Sequence, residues 1–191
     1  MVGHIRLFWA INLPSDLKNN IDNEIRCQLS PTPADLKWVE DKNLHLTLKF
    51  LGDVDSALVE EVLRGVKSKV EGFGPLHFEV RGVGCFPGRK RPRVLWAGLQ
   101  GQVDKLRKLY EKVQQAHSTL GFEKGNKRFS PHITLARFRS PLNSTKFMQT
   151  AEELVPPTKK LGSFETVSIE LMQSTLSRQG PEYNILSQVW L

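Results

Sequence analysis

The sequence contains 191 residues, of which 39% are hydrophobic, and this is enough for one domain with its own core. Lysine and arginine together number 27 against 20 acidic residues, so the net charge of +7 is consistent with a polyanionic partner but does not specify one. Cys27 and Cys85 form no metal-ligand pair or disulfide framework, and no stretch approaches the ~20 apolar residues of a membrane span. We therefore expect a cytoplasmic protein with reduced, buried thiols, neither secreted nor inserted into a membrane.

The first half of the chain is predicted to alternate strands and helices. Residues 5–12 favour a strand, and the helix that follows Pro14 has one apolar side, made of Leu17, Ile21, Ile25 and Leu29. A further helix is expected to begin within residues 53–56, with Asp53 and Asp55 as candidate caps. Its apolar positions recur with the 3.6-residue period of a helix packed on one face: Val59, Val62, Leu63, Val66 and Val70.

Between these two helices, residues 44–52 alternate apolar and polar side chains, which is typical of a strand. The alternation predicts that one face carries His45, Thr47 and Lys49. The other face is expected to point into the core with Leu44, Leu46, Leu48 and Phe50. Gly52 is expected to turn the chain out of the strand.

The second half of the chain repeats this order. A strand is expected at 76–83, followed by an exposed basic loop at 89–93. The predicted elements that follow are a strand at 94–99, a helix at 103–120, a strand around His132, a helix at 147–155 and closing strands at 165–171 and 184–191.

Two short motifs recur at one spacing. The stretch Pro131-His132-Ile133-Thr134-Leu135-Ala136-Arg137 repeats the His-x-Thr pattern of His45-Leu46-Thr47, 87 residues later. The same shift maps Arg6-Leu7-Phe8-Trp9-Ala10 onto Arg93-Val94-Leu95-Trp96-Ala97. Two matches at one offset indicate two copies of one unit, about residues 5–86 and 93–156, with closing strands in 161–191 and a single domain over 1–191. We predict an α+β fold: a bilobal duplicated unit with antiparallel sheets lining a central cleft and helices outside.

Paired histidines at matching positions suit a displacement at phosphorus. Such a reaction needs a base on one side of the phosphate and an acid on the other, and histidine fills either role near neutral pH. Thr47 and Thr134 lie two residues after His45 and His132, where their hydroxyl groups can bind non-bridging phosphate oxygens. The two motifs are nearly equivalent, so the sequence by itself does not decide which histidine is the acid.

Over essentially its whole length the chain resembles one known family. The stretches that carry the resemblance are residues 6–11, 38–39, 45–52 and 177–183, together with the two His-x-Thr motifs. They are similar to those of bacterial and archaeal RNA 2′,3′-cyclic phosphodiesterases, also called 2′-5′ RNA ligases, in the two-histidine phosphoesterase superfamily. The resemblance implies metal-independent hydrolysis of RNA 2′,3′-cyclic phosphate ends to 2′-phosphomonoesters without a cofactor, and it leaves reversible 2′-5′ RNA ligation open.

The resemblance also implies roles for individual residues. His45 would be the general acid that protonates the departing 3′ oxygen, and His132 the general base that activates water. Arg137 would bind the phosphate together with Thr47 and Thr134. Because ideal alternation puts Arg137 on the face opposite His132, we expect a bulge or the strand end to re-aim it. The expected partners are RNA with 2′,3′-cyclic phosphate ends or cyclic nucleotides, with no membrane involved, and we expect a monomer.

Basic residues just before the second motif are candidates to bind the RNA backbone, namely Lys124, Lys127 and Arg128.

Other interpretations of the motifs compete with phosphodiester hydrolysis. The alternative function is a non-catalytic nucleotide- or RNA-binding module of the same superfamily, but the intact His and Thr of both motifs argue against it. A metal site is disfavoured because it needs three or four converging ligands, and the motifs offer two histidines. A serine hydrolase is disfavoured because the sequence has no Gly-x-Ser-x-Gly elbow. The histidines that lack a matching threonine are expected to have structural or surface roles: His4, His77 and His117. Two tryptophans are expected to pack in the core, Trp9 and Trp96.

Overall fold

A computed structural model describes residues 3–123, 128–177 and 180–191 of the chain. In these ranges the strands are β1 (His4–Asn12), β2 (Leu36–Trp38), β3 (His45–Asp55), β4 (Leu76–Phe86), β5 (Val94–Gly101), β6 (His132–Phe138), β7 (Lys160–Thr166), β8 (Ser168–Leu176) and β9 (Pro181–Trp190). The α-helices are α1 (Ser15–Ile21), α2 (Val59–Val70), α3 (Val103–Ser118) and α4 (Ser144–Leu154). A π-helical segment, Asp22–Cys27, continues α1, and short 3-10 turns lie at Asp41–Asn43 and Ser56–Leu58.

The strands of the described residues form one antiparallel sheet in the order β7-β4-β5-β6-β3-β1-β8-β9, with β2 paired to β6. At the centre of the sheet β3 and β6 meet at a single pair in the described ranges, Leu46 with Ile133, so the sheet has two halves joined at a narrow junction. Buried residues of all four helices pack on one face in the main hydrophobic cluster, while Phe8, Ala10 and Met172 form a small cluster of their own. The predicted α+β, bilobal arrangement is confirmed, and the two expected sheets are joined into one.

Outward from the junction, the two halves follow the same plan. One half runs β3-β1-β8-β9 and the other runs β6-β5-β4-β7. The strand at the end of the first predicted copy, β4, therefore pairs with β5 and β7 in the His132 half, whereas β8 and β9 complete the His45 half. The two copies remain a prediction about the sequence. In space, the last strand of the first copy, β4, lies in the His132 half of the sheet, and the closing strands β8 and β9 lie in the His45 half.

A bulge in β3 breaks the predicted alternation after Thr47. Thr47 pairs with Ala10 and Lys49 with the neighbouring Trp9, so Leu48 is the extra residue. From that point the faces are exchanged: Lys49 is only 6% exposed and Phe50 is 68% exposed. The expectation that Phe50 lies in the core and that Lys49 shares the His45 face is therefore wrong. On the helix side, the Lys49 ammonium donates to the Gln114 side chain and to the carbonyl oxygen of Glu123, 2.8 Å away.

A second bulge carries β3 past its predicted end. Gly52 pairs with Leu7 and Phe50 with Phe8, which leaves Leu51 as the extra residue, and Gly52 adopts a φ of 75°. This left-handed conformation suits glycine, and it bends the strand without ending it. The strand continues to Asp55, whose carboxylate accepts a hydrogen bond from the Ala57 amide at 2.9 Å and caps the turn before α2.

The histidines outside the motifs make structural or surface contacts, as predicted. The fully buried Trp9 donates from its indole nitrogen to Nε2 of His117 at 3.0 Å, and Nδ1 of His117 donates to the Val113 carbonyl at 2.6 Å. His77 lies on the surface, 3.1 Å from a Glu165 carboxylate oxygen. Both ring nitrogens of His117 are thus occupied, which leaves it no free group for chemistry.

The thiols differ from the sequence expectation. Both are free, but Cys27 is exposed and only Cys85 is partly buried, so a buried thiol was the wrong prediction for Cys27. No helix within the described ranges combines the length and the apolar character that crossing a membrane requires.

Candidate active site

The two His-x-Thr strands line a common cavity of about 500 Å³. The residues between each histidine and its threonine, Leu46 and Ile133, are fully buried in the main core, which directs the flanking polar side chains to the opposite face. As a result, all five residues predicted for catalysis and phosphate binding line this cavity: His45, Thr47, His132, Thr134 and Arg137.

His45 is held by hydrogen bonds at both ring nitrogens. Nδ1 lies 2.7 Å from the Asn43 carbonyl oxygen, so this nitrogen carries the proton, and Nε2 lies 2.9 Å from the Thr47 hydroxyl, which donates to it. The ring also contacts Phe8 and Tyr183, with centroids 5.1 and 5.3 Å away. Burial lowers the pKa of His45 to about 4, and the nearby cations Lys18 and Arg137 act in the same direction.

His132 has the same backbone anchor and a more open ring. Nδ1 lies 2.7 Å from the Ser130 carbonyl oxygen, and Phe86 packs edge-on against the ring at 4.9 Å. Burial lowers the pKa of His132, the Arg137 guanidinium adds to the effect, and the hydrogen bond to Ser130 opposes it. Nε2 has no hydrogen-bond partner in the part of the chain that the structure describes, so its lone pair is available to accept a proton.

The predicted bulge before Arg137 is confirmed. In the β5–β6 pair, Thr134 lies opposite Trp96 and Ala136 opposite Leu95, so Leu135 is the extra residue and Arg137 turns to the face of His132. The guanidinium influences the pKa of both site histidines and of Tyr183, which places it within electrostatic range of all three. Arg137 therefore acts on both halves of the cavity, whose lining also includes Lys37 and Arg139.

Sequence reasoning missed several aromatic residues of the site. Phe50 holds the position in β3 that Arg137 holds in β6, and it lines the cavity because both strands contain the same bulge. Tyr183 reaches the cavity from β9, and burial raises the pKa of its hydroxyl. The recurrence of Arg137 and Phe50 at the same offset from the histidines was the available signal for Phe50.

Of the three predicted RNA-binding residues, one lies within the described ranges. Lys124 and Lys127 lie outside the described residues. Arg128 is exposed and lines a second cavity next to His132, not the main one. Across residues 3–123, 128–177 and 180–191, no group of three His, Cys, Asp or Glu side chains converges as a metal site would require.

Two imidazoles, two threonine hydroxyls and the Arg137 guanidinium around a single cavity define a two-histidine phosphoesterase. The sequence profile of the LigT-like phosphoesterases matches the chain twice, over residues 11–96 and 98–183, and the two matched ranges are themselves shifted by 87 residues. The chain belongs to this LigT-like phosphoesterase family.

Relatives and solved structures agree with this assignment. The chain is 36% identical over 165 residues to an RNA 2′,3′-cyclic phosphodiesterase of Aeropyrum pernix, covering 86% of this chain and 92% of the relative. It is 35% identical to the enzyme of that name from Aquifex aeolicus, with 81% of each chain covered. The crystal structure of Escherichia coli LigT complexed with 3′-AMP superimposes with a TM-score of 0.77 at 25% identity, and 98% of both chains is covered.

Proposed function

We propose that this protein hydrolyses 2′,3′-cyclic phosphate ends of RNA to 2′-phosphomonoesters. The observation that carries the proposal is the pair of imidazoles, each fixed by a backbone carbonyl on Nδ1 and each lining one cavity with Arg137. Support comes from the relatives named RNA 2′,3′-cyclic phosphodiesterase, which cover most of the chain. The RNA or cyclic-nucleotide substrate, the monomeric state and the cytoplasmic location are parts of this proposal.

The geometry suggests how the proton transfers are divided. His132 Nε2, which has no partner among the described residues, accepts a proton from water as the water oxygen attacks phosphorus. The bond from phosphorus to the 3′ oxygen breaks, and His45 donates the proton that this oxygen takes up. Protonation of the 3′ oxygen leaves the phosphate on the 2′ oxygen, so the position of His45 selects the product.

The remaining cavity residues hold the phosphate. Thr47 and Thr134 present hydroxyl groups that donate to its non-bridging oxygens, and Arg137 adds a planar pair of donors with a fixed positive charge. In the cavity without substrate, Thr47 donates to His45 Nε2, so substrate binding exchanges this bond for one to the phosphate. The same negative charge favours protonation of His45, whose pKa of about 4 otherwise leaves it neutral at pH 7.

Product mapping tests the proposal. A short oligonucleotide ending in a 2′,3′-cyclic phosphate is incubated with the protein in the presence of EDTA, and the terminal phosphate is located. A 2′-phosphate is the expected product. Absence of turnover would support the non-catalytic binding module, loss of turnover only in EDTA would indicate a metal, and a 3′-phosphate would overturn the choice of leaving group.

A further inference from the structure

A buried lysine lies on the helix side of β3, behind the active site. Lys49 is 6% exposed, and its ammonium donates to the Gln114 side chain on α3 and to the Glu123 carbonyl oxygen, 2.8 Å away. Burial lowers the pKa of Lys49, and no carboxylate of the described residues offsets this effect. Because a buried cation without an ion pair costs free energy, its hydrogen bonds must hold something that an apolar side chain would not hold.

The equivalent position in the other half carries no charge. The repeat of 87 residues equates Lys49 with the fully buried Ala136, and it equates Trp9, which pairs with Lys49, with Trp96. Trp96 instead lies opposite Thr134 and is partly exposed. The core prediction is therefore confirmed for Trp9 and wrong for Trp96, because the bulges shift the pairing of the two halves by one residue. Of the two equivalent positions, only the one in the His45 half places a cation behind the site.

The contacts of this lysine lead towards the second motif. Gln114, which accepts from the ammonium, donates to the Tyr110 hydroxyl at 2.6 Å. The Tyr110 ring stacks on Phe129 with centroids 4.2 Å apart and planes 6° from parallel. Phe129 directly precedes Ser130, whose carbonyl oxygen lies 2.7 Å from Nδ1 of His132. A continuous path of hydrogen bonds and ring stacking therefore connects the ammonium to the group that orients His132.

The path crosses the weakest part of the sheet. Between β3 and β6 a single residue pair, Leu46 with Ile133, is formed in the described ranges, so backbone pairing does little to fix one motif against the other. Lys49 belongs to β3, whereas Glu123 precedes β6 in the chain. The lysine thus ties the segment that enters the second motif to the strand that carries the first.

We propose that Lys49 is a positioning residue for His132, since its hydrogen bonds hold the Ser130 carbonyl oxygen at the Nδ1 proton. Gln114 and Tyr110 transmit the constraint. The inference rests on the proposed function, in which His132 is the base. The bond at Nδ1 keeps the proton off Nε2, whose lone pair can then accept the proton of the attacking water. Without the lysine, the ring samples the tautomer in which Nε2 is already protonated and cannot act as a base.

The test is Lys49→Met, which removes the ammonium and keeps an unbranched side chain. On a cyclic mononucleotide, kcat should fall about 10–100-fold, the scale for a catalytic group misplaced by ~1 Å. KM should stay roughly unchanged, because the groups that bind the phosphate remain. Nitrogen-15 NMR of the His132 ring at about pH 8 provides the second measurement, since burial lowers the pKa of His132 and the ring is neutral there. Wild type should show the Nδ1–H tautomer, and Lys49→Met a mixture of both.

His45 is the internal reference. It lies on the same strand as Lys49, and its Nδ1 is anchored by the Asn43 carbonyl oxygen, which is not part of the path. General damage to β3 would reach His45 first, so a positioning role predicts that the His45 tautomer stays fixed while that of His132 changes. Lys112→Met is the matched control, because Lys112 also lies on the helix side and donates to a backbone carbonyl, that of Lys69 at 2.9 Å. It should leave kcat and both tautomers unchanged.

The possible outcomes separate the inference from the proposed function. A folded Lys49→Met protein with wild-type kcat and one His132 tautomer would overturn the positioning role, and so would equal changes at His45 and His132. The tautomer is measured without turnover. A wild-type protein that fails to hydrolyse the cyclic phosphate would therefore remove the proposed function, while the His132 signal decides the positioning role separately.

Tyr110 tests the path if Lys49→Met fails to fold. Tyr110→Leu removes the ring that stacks on Phe129, so it should lower kcat and mix the His132 tautomers as Lys49→Met does. Tyr110→Phe keeps the stacking and should have a smaller effect. Where both variants fold, the double variant should lose no more than the larger single loss, because the two residues act through one path. Multiplied losses in the double variant, or a wild-type tautomer in Tyr110→Leu, contradict the inference.

Discussion

The two halves of the active site share a backbone plan and differ in their side chains. In both halves Nδ1 of the histidine lies 2.7 Å from the carbonyl oxygen two residues earlier, and a leucine bulge follows the threonine. Beyond the bulge, however, one half presents Phe50 and the other Arg137. The two halves thus supply two imidazoles of the same tautomer, and the different side chains around them make one site chemically two-sided.

The difference is largest at the histidine rings. His45 is enclosed by Phe8 and Tyr183 and accepts a hydrogen bond from Thr47, and its pKa is lowered to about 4. His132 contacts Phe86 and keeps Nε2 without a partner among the described residues. An open lone pair suits a base that meets water, whereas an enclosed ring suits an acid that gains its proton when an anion arrives.

Removal of either imidazole is expected to have the largest effect. His45→Ala and His132→Ala should each lower the hydrolysis rate ~10²–10⁴-fold, since each removes a positioned proton donor or acceptor. The exposed His77→Ala is the matched control and should retain full activity, because its partner Glu165 lies outside the cavity. Steady-state rates on a cyclic mononucleotide and circular dichroism spectra provide the comparison.

A substrate with an easily departing aryl oxide sharpens this comparison. Such a leaving group needs no acid, so His45→Ala should lose far less activity on an aryl phosphodiester than on the cyclic phosphate, whereas His132→Ala should lose both. If the two variants showed the opposite pattern, the roles of acid and base would have to be exchanged.

Arg137 should rank next, because its guanidinium acts on the histidines of both halves. Arg137→Ala removes a charge-assisted contact to the phosphate and is expected to reduce kcat/KM by roughly 10–150-fold, the equivalent of ~1.5–3 kcal/mol. Arg137→Lys should recover little of this if the guanidinium binds two oxygens at once. A mononucleotide and an oligonucleotide should suffer equally, so a defect confined to the oligonucleotide would move Arg137 from the phosphate site to the RNA-binding surface.

The sequence was sufficient for the residues that repeat and insufficient for those that depend on pairing. The histidines and the threonines followed from two similar motifs, and the bulge before Arg137 followed from the role that the family resemblance implies for this residue. The equivalent bulge at Leu48 was not predicted, because a run of alternating residues is compatible with a regular strand and the partner strand decides the register. Lys49, Phe50 and Trp96 were misplaced for that reason, and Tyr183 was missed because β9 lies far away in the chain.

Removal of the threonine hydroxyl groups should lower kcat/KM less than the changes above, and the effect on the pH profile should differ between the two halves. Thr47→Val and Thr134→Val keep the β-branched shape and each remove one hydroxyl group, which costs about tenfold or more in kcat/KM if it binds the phosphate. Thr47 also donates to His45 in the absence of substrate, which favours the neutral ring. Thr47→Val should therefore raise the pKa of His45 and move the pH profile, whereas Thr134→Val should lower the rate at every pH alike. Equal profiles in both variants would show that the Thr47 bond does not affect His45.

The pH dependence requires no substitution and follows from the lowered pKa values of both histidines. Reaction requires one neutral and one protonated imidazole, and kcat/KM reports the protein before substrate binds. With His45 near 4 and His132 below its usual 6.5, kcat/KM should be highest between these values and fall about tenfold per pH unit above them. The optimum of kcat should lie at higher pH, because the bound phosphate raises the pKa of the acid. A kcat/KM profile that is flat between about pH 5 and 8 would contradict the paired-histidine mechanism, provided that rapid-quench measurements show chemistry to limit the rate.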